Sequence, residues 1–187
     1  MANDEIGGEM REVDLKYAYR LVNNGPCVLV TVNGPSYPNI ISIAWVTPVC
    51  SSPPLVAISV RKERYSHDLI MKEKEFTINI PDESLLNAIW VCGTKSGSEV
   101  DKFKAARLTP MKGKKVKCPW IRECVAFIEC KLKYTFDIGR YTIFVGEIVH
   151  AEAKEGVFGE YWDIDKVKIV HHLGGNNFEI DGKLKKV

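Results

Sequence analysis

The chain has 187 residues, 45% of them hydrophobic, with 26 basic against 24 acidic side chains and a net charge of +2. That length is enough for one good core and tight for two, so one domain over 1–187 is expected, and the near-balanced charge lacks the basic footprint of a nucleic-acid binder. No apolar run approaches a membrane span, and the acidic start Met-Ala-Asn-Asp-Glu is unlike a signal peptide, so a cytoplasmic protein is expected.

In chain order, residues 14–22 can form a short leading helix, and 27–33 form a strand closed by Asn33-Gly34. The stretch 39–47 reads as a second strand, with Ser42 and Thr47 set among Ile40, Ile41, Ile43, Ala44, Trp45 and Val46, because β-branched and aromatic residues favour a pleated, partly buried backbone. Pro48, Pro53 and Pro54 cannot donate backbone hydrogen bonds, so 48–54 is a loop or sheet-edge crossing with Ser51 and Ser52 at its tip. A third strand, 55–60, ends at Arg61-Lys62-Glu63-Arg64-Tyr65-Ser66, where Ser66 can cap a helix over 67–71. A strand feeding a basic turn and a helix start puts free N–H groups, a helix dipole and two guanidinium forks in one place, which suits phosphate. On its own, such a turn reads equally well as solvated surface.

Residues 76–80 form a further strand before a helix start at Pro81-Asp82, and the helix over 83–91 breaks at Gly93. The polar glycine loop that follows leads to Ser98, a second candidate cap, with Glu99 and Asp101 in the next turn. It has the composition of an anion-binding loop but neither P-loop nor Gly-x-Gly-x-x-Gly spacing, which removes ATP and Rossmann-type readings. The longest β signals are 126–136 and 141–153, joined by 137–140 into a hairpin in which Phe127, Glu129, Lys131 and Lys133 define one wet face. Many strands with only short helices point to a barrel. The basic runs 112–117 and 183–186 read as solvated loop and tail.

The six cysteines, Cys27, Cys50, Cys92, Cys118, Cys124 and Cys130, contain no CxxC, so no metal site is expected and buried packing is favoured for all, Cys50 included. The adjacent His171 and His172 point to opposite faces of a strand, so a shared metal is excluded and at most one of them faces a cleft. There is no Gly-x-Ser-x-Gly elbow and no cysteine with an identifiable base, which leaves hydrolase chemistry without support.

Four blocks in this order, Asn39-x-x-Ser42-x-Ala44-Trp45-x-Thr47-Pro48-Val49, the Pro53-Pro54 pair, Ser59-x-Arg61-x-x-Arg64-Tyr65-Ser66-His67 and Ser96-Gly97-x-x-x-Asp101-Lys102-Phe103, resemble the flavin reductase-like, or flavoredoxin, family of FMN-binding split barrels. Val145-Gly146-Glu147-Ile148 and Leu173-Gly174-Gly175 extend the resemblance over nearly the whole chain. Family members often have Thr where Ser42 stands and Ser-x-Asp where this chain has Cys50-Ser51-Ser52. The resemblance implies a mainly β, antiparallel Greek-key split barrel with a few short helices, holding FMN near a homodimer interface. It implies that Asn39, Ser42, Ala44, Trp45, Val46 and Thr47 frame the flavin ring, with Cys50 and Ser51 on the loop beyond. Ser59, Val60, Arg61, Arg64, Tyr65 and Ser66, with Ser96, Gly97 and Lys102, are then expected at the phosphate side. The expected function is an FMN-dependent oxidoreductase moving electrons from a reduced nicotinamide, or another small donor, to an acceptor; the alternative is an FMN-binding electron carrier with no nicotinamide site of its own. Neither the choice of NADH or NADPH nor the acceptor is legible.

Overall fold

The computed structural model describes residues 12–180, so the acidic first residues and the basic run 183–186 lie outside the described residues. A helical turn, α1 (Leu15–Ala18), capped by the Asp14 carboxylate and continued by a 3-10 turn Tyr19–Val22, precedes the strands β1 (Val28–Val32), β2 (Asn39–Ile43), β3 (Val46–Ser51) and β4 (Pro54–Arg61). Then follow α2 (Tyr65–Glu73), β5 (Glu75–Ile80), α3 (Leu86–Thr94), α4 (Lys102–Ala105), the short pair β6 (Pro110–Met111) and β7 (Trp120–Ile121), and the long hairpin β8 (Ala126–Ile138) and β9 (Tyr141–Ala153). A small pair, β10 (His171–Gly174) and β11 (Asn177–Glu179), completes the described fold.

The main sheet has seven strands in the order β2-β1-β5-β8-β9-β4-β3, all antiparallel. Its two edges, β2 and β3, are consecutive in the chain and only Ala44 and Trp45 separate them. Two residues cannot span a flat seven-stranded sheet at about 4.8 Å per strand, so the sheet must curl until its edges meet. The Trp45 carbonyl accepts from Ser59 N–H at 3.0 Å, tying the corner to β4, while α2 packs against β1, β2, β4 and β5 across the seam. This is the antiparallel split barrel that the sequence predicts.

β1 is buried along its whole length because both faces are covered. Val28, Val30 and Val32 point into the barrel with Ile41, Ile43, Phe76, Ile78 and Phe144, and Leu69 and Ile70 of α2 fill it from the seam. Leu29 points outward and packs with Ile40 under Ile89 and Cys92 of α3. A run of apolar residues without alternation is the pattern expected of a strand sandwiched in this way.

Several local expectations change. The strand foreseen over 39–47 is two strands with a corner at Ala44-Trp45, and β3 continues through Pro48 to Ser51. Proline is tolerated there because β3 is an edge strand and its register shifts between Pro48 and Cys50. The helix after β4 starts at Tyr65 with extended Arg64 as its N-cap residue, so Ser66 is not the cap but a buried first-turn residue. Gly93 does not break α3, which runs to Thr94; a Cβ at Gly93 would lie 3.4 Å from that of Ser42, so the glycine serves close helix-to-strand approach. Asp101 rather than Ser98 caps α4, its carboxylate accepting from Lys104 N–H at 3.2 Å. The turn of the long hairpin shortens to Gly139-Arg140, with Gly139 at φ +54.

The wet face foreseen on β8 is dry at its start: Phe127 and Glu129 are buried. Bulges at Glu129/Cys130 and Leu132/Tyr134 break the period of two, and the Glu129 carboxylate accepts from the Lys114 and Lys115 N–H groups, both at 2.6 Å. Cys50 is exposed on the edge strand, contrary to the packing expected for it, while the other five cysteines are buried.

Gly146 marks a close approach inside the barrel, since a Cβ there would come within 2.7 Å of Phe76 Cζ and 2.9 Å of Cys130 Cβ. Phe76 is fully buried and cannot swing away, so Gly146→Ala should cost about 1–3 kcal/mol of stability, as overpacked cores do. Urea unfolding should show a lower midpoint with unchanged slope; an unchanged midpoint would mean that β9 can back away from Phe76.

Candidate functional site

Three adjoining cavities follow the seam of the barrel. The first, a cradle of about 190 Å³, lies where the start of β2, the N-terminus of α2 and the loop after α3 converge. The second is a trough of about 270 Å³ running beside the end of β2 and β4, and the third is a cleft of about 400 Å³ beneath the 3-10 turn Tyr19–Val22. Ile41 and Arg64 are shared by the cradle and the trough, and Tyr19, Asn23, Ala44, Trp45 and Ser59 by the trough and the cleft.

The cradle gathers Asn39, Arg64, Tyr65, Ser66, Ser96, Gly97 and Lys102. Asn39 is buried, donating through Nδ2 to Ser66 Oγ at 2.7 Å, while its Oδ1 has no partner. A Cβ at Gly97 would fall 1.9 Å from that oxygen, so only glycine lets the loop close over Asn39. Ser96 Oγ bonds Ser98 Oγ at 2.7 Å, holding the loop in its turn. No side chain caps α2, so its first N–H groups and the positive end of its dipole are uncapped at the cradle.

Lys102 is 4% exposed, and its Nζ donates to the carbonyls of Ile40 (2.7 Å) and Cys92 (2.8 Å). An ammonium has three N–H donors, which leaves one for the cradle. Burial brings the pKa of Lys102 down from 10.5 to about 8, Cys92 opposes the shift, and nearby Arg64 adds to it. Among the described residues no carboxylate pairs with Lys102 or with the Arg64 guanidinium. Three cations that line the cradle, Arg64, Lys95 and the buried Lys102, with an uncapped helix start and hydroxyl groups, form a place where an anion is stabilised.

The trough collects Ser42, Ala44, Trp45, Ser59, Val60 and Arg61. The Ser42 hydroxyl is already committed, donating to the Ile89 carbonyl at 2.6 Å and so fastening α3 to β2. Arg61, expected beside the phosphate with Ser59 and Val60, lies with them on the trough wall instead: its Nε donates to Tyr141 Oη at 2.7 Å. The Trp45 indole stacks on the Tyr141 ring at 5.0 Å and 29°, and meets Tyr19 edge-on at 5.7 Å. Val46 and Thr47 line the cleft, whose wall of Val22, Ala57, Ile58 and Ile143 carries no charged side chain. Cys50 and Ser51 lie further along β3, exposed, and line none of these cavities.

Tyr19, Asn23, Tyr141, His172, Gly174 and Gly175 line the trough and were not singled out beforehand as site residues. Arg61 and Tyr141 are register partners on β4 and β9, a proximity that pairing creates and no local motif announces. His172 faces the trough, with Nδ1 3.4 Å from Asn23 Nδ2 and Nε2 3.1 Å from the Gly175 carbonyl, whereas His171 lines a separate cavity beside Trp162. Burial pushes the Cys27, Cys92 and Cys118 thiols up to about 12, so they are packing groups rather than nucleophiles. Among the described residues no three His, Cys, Asp or Glu side chains are grouped to hold a metal ion, and no helix is long and apolar enough to cross a membrane.

Comparison with known proteins agrees with this geometry. An uncharacterised protein of Escherichia coli K12 is 36% identical over 178 residues, covering 91% of this chain and 94% of the relative. The flavoredoxin of Desulfovibrio vulgaris superposes with a TM-score of 0.82 at 29% identity, covering 97% of each chain. The reductase component of a 4-nitrophenol monooxygenase from Rhodococcus opacus is 28% identical over 128 residues, covering 68% of this chain and 65% of that protein. The family model for the flavin reductase-like domain matches residues 20–171. The chain belongs to the flavin reductase-like family.

Proposed function

We propose that this protein is an FMN-dependent oxidoreductase in which the cradle holds the FMN phosphate, the trough the ribityl chain and the cleft the flavin ring. The carrying observation is Lys102, a buried cation without a carboxylate partner beside Arg64 and the start of α2. A flavin with a phosphate suits that cradle, and the polar wall of the trough, with Ser42, Ser59 and Arg61, suits a ribityl chain. When bound, FMN would supply the two-electron chemistry, passing electrons from a reduced nicotinamide to an acceptor.

The chain's own residues then bind and orient. Lys102 and Arg64 neutralise the phosphate, and Gly97 and Asn39 shape the loop over it. Trp45, Tyr19 and the apolar wall of the cleft exclude water from a flat ring. No acid–base dyad is needed, because the cofactor carries the reactive chemistry. The relatives named as a flavoredoxin and as a reductase component favour a redox role; a cytoplasmic location belongs to the same proposal, and a carrier without a nicotinamide site is the second reading.

A homodimer belongs to the same proposal. Tyr134, Phe136 and Ile138 are exposed by 55–58% and succeed one another along one face of β8. Phe136 and Ile138 pair across the sheet with Ile143 and Tyr141, which line the cleft and trough, so the stripe borders the site. A second copy laid on it would cover both.

Three outcomes are expected. First, FMN should bind much more tightly than riboflavin, and Arg64→Ala or Lys102→Met should weaken FMN roughly ten- to a hundredfold while leaving riboflavin nearly unchanged, the worth of one charge-assisted hydrogen bond. The folded pKa of Lys102, about 8, lies below its ordinary value, so the cation is present below about pH 8 and lost above it. FMN affinity should therefore fall as pH rises through that window, and the fall should vanish in Lys102→Met; equal losses for both ligands would point to misfolding instead. Second, anaerobic addition of NADH or NADPH should bleach the bound flavin at turnover-competent rates, and failure with both would favour the carrier reading. Third, light scattering should give a dimer mass that Phe136→Glu halves, with weakened FMN binding; a wild-type monomer retaining FMN would exclude the shared face.

A further inference from the structure

The cradle wall contains one acidic residue, Glu63, immediately before Arg64 in the chain. Its carboxylate is paired away from the cradle's cations: Oε1 lies 2.9 Å from Arg140 Nη2 and 3.6 Å from Arg61 Nη1. Arg140 stands at the tip of the β8–β9 hairpin, and that tip is anchored to the start of α2 by several contacts. Lys62 N–H donates to the Arg140 carbonyl at 2.9 Å, and Lys62 Nζ meets Asp137 at 3.1 Å. Asp137 accepts from the Thr142 hydroxyl at 2.6 Å, and Thr142 Oγ1 is 2.9 Å from His67 Nε2 in the first turn of α2.

We infer that Arg140 is a positioning residue for anion binding: by holding the Glu63 carboxylate at the hairpin tip, it keeps the one negative charge in the cradle wall from occupying the place of the phosphate. The inference rests on the proposed reading of the cradle as a phosphate site. Glutamate has three rotatable bonds, and with Arg140 removed the Glu63 carboxylate keeps only the 3.6 Å contact to Arg61, whose guanidinium is also held by Tyr141, so it is free to turn toward the cations that line the cradle with it. An incoming phosphate would then have to displace it.

A competing account is that Arg140 attracts the anion through its own charge. Its side chain is 77% exposed, where solvent and salt screen such an effect strongly. The two accounts separate in a double-mutant cycle, because only the positioning role depends on Glu63.

FMN and riboflavin titrations, followed by flavin fluorescence, would be made on the full chain as wild type, Arg140→Ala, Glu63→Gln and the double variant. Arg140→Ala should weaken FMN about two- to fivefold, the scale of an exposed ion pair, and leave riboflavin unchanged. Glu63→Gln should bind FMN at least as tightly as wild type, and adding Arg140→Ala to it should change nothing. An equal FMN loss in both backgrounds, no loss in either, or a loss shared by riboflavin would each overturn the positioning role. A wild-type protein that binds FMN and riboflavin equally would instead overturn the phosphate reading, and it does so before any variant is compared.

Discussion

The two-residue corner between β2 and β3 is the constraint on which the rest of this structure depends. It joins the opposite edges of a seven-stranded sheet, so the barrel is closed by covalent chain at one point and not by a ladder along its seam. A seam without a ladder leaves strand-edge N–H and C=O groups that must find other partners. One of them, the Ile40 carbonyl on β2, takes Lys102 Nζ. The cradle therefore forms where a strand edge left over by closure is satisfied by a buried cation, and that part of the site follows from the topology.

Lys102 shows how that solution ties structure to binding. Burying an ammonium is costly unless opposite charge compensates it, and two carbonyl dipoles compensate only in part. Placing Arg64 nearby increases the mismatch. In a chain selected for stability alone, apolar groups would serve α4 better. A buried cation that lines a cavity and bridges β2 to α3 is a group that an anion from outside the chain would compensate, and an anion bound there would also draw β2, α3 and α4 together.

Much of this was legible in the sequence because strands announce themselves locally. The β-branched, apolar runs over β1, β4 and β5 and the long hairpin mark strands by composition, and the four blocks around Asn39, Pro53, Arg64 and Lys102 carry the family resemblance. Misreadings cluster where tertiary contact overrides local preference. Ser66 has the composition of a cap, yet Asn39 draws it into a buried strut, and Gly93 looks like a helix breaker while serving close packing on Ser42. Glu129 sits at a position that alternation marks as wet, but a bulge turns the period and two backbone N–H groups reward burial of its carboxylate. Tyr19, Tyr141 and His172 reach the trough from three distant segments, which only strand pairing and the docking of β10 bring together.

The sequence of environments along the seam gives the site a direction. It passes from a cradle lined by three cations, through a trough of mixed character where Arg61 is held by Tyr141, to a cleft with no charged wall. Charge-assisted contacts are directional and strong, whereas burial of a ring is non-directional and scales with area. A ligand with an anionic tail and a flat head would thus be registered by its tail and merely accommodated by its head. At the tail end Asn39, Gly97 and Lys102 are buried, while Trp45 at the head end is 39% exposed. Registration at the tail thus fixes where the head lies, and access to the head is set by what covers Trp45.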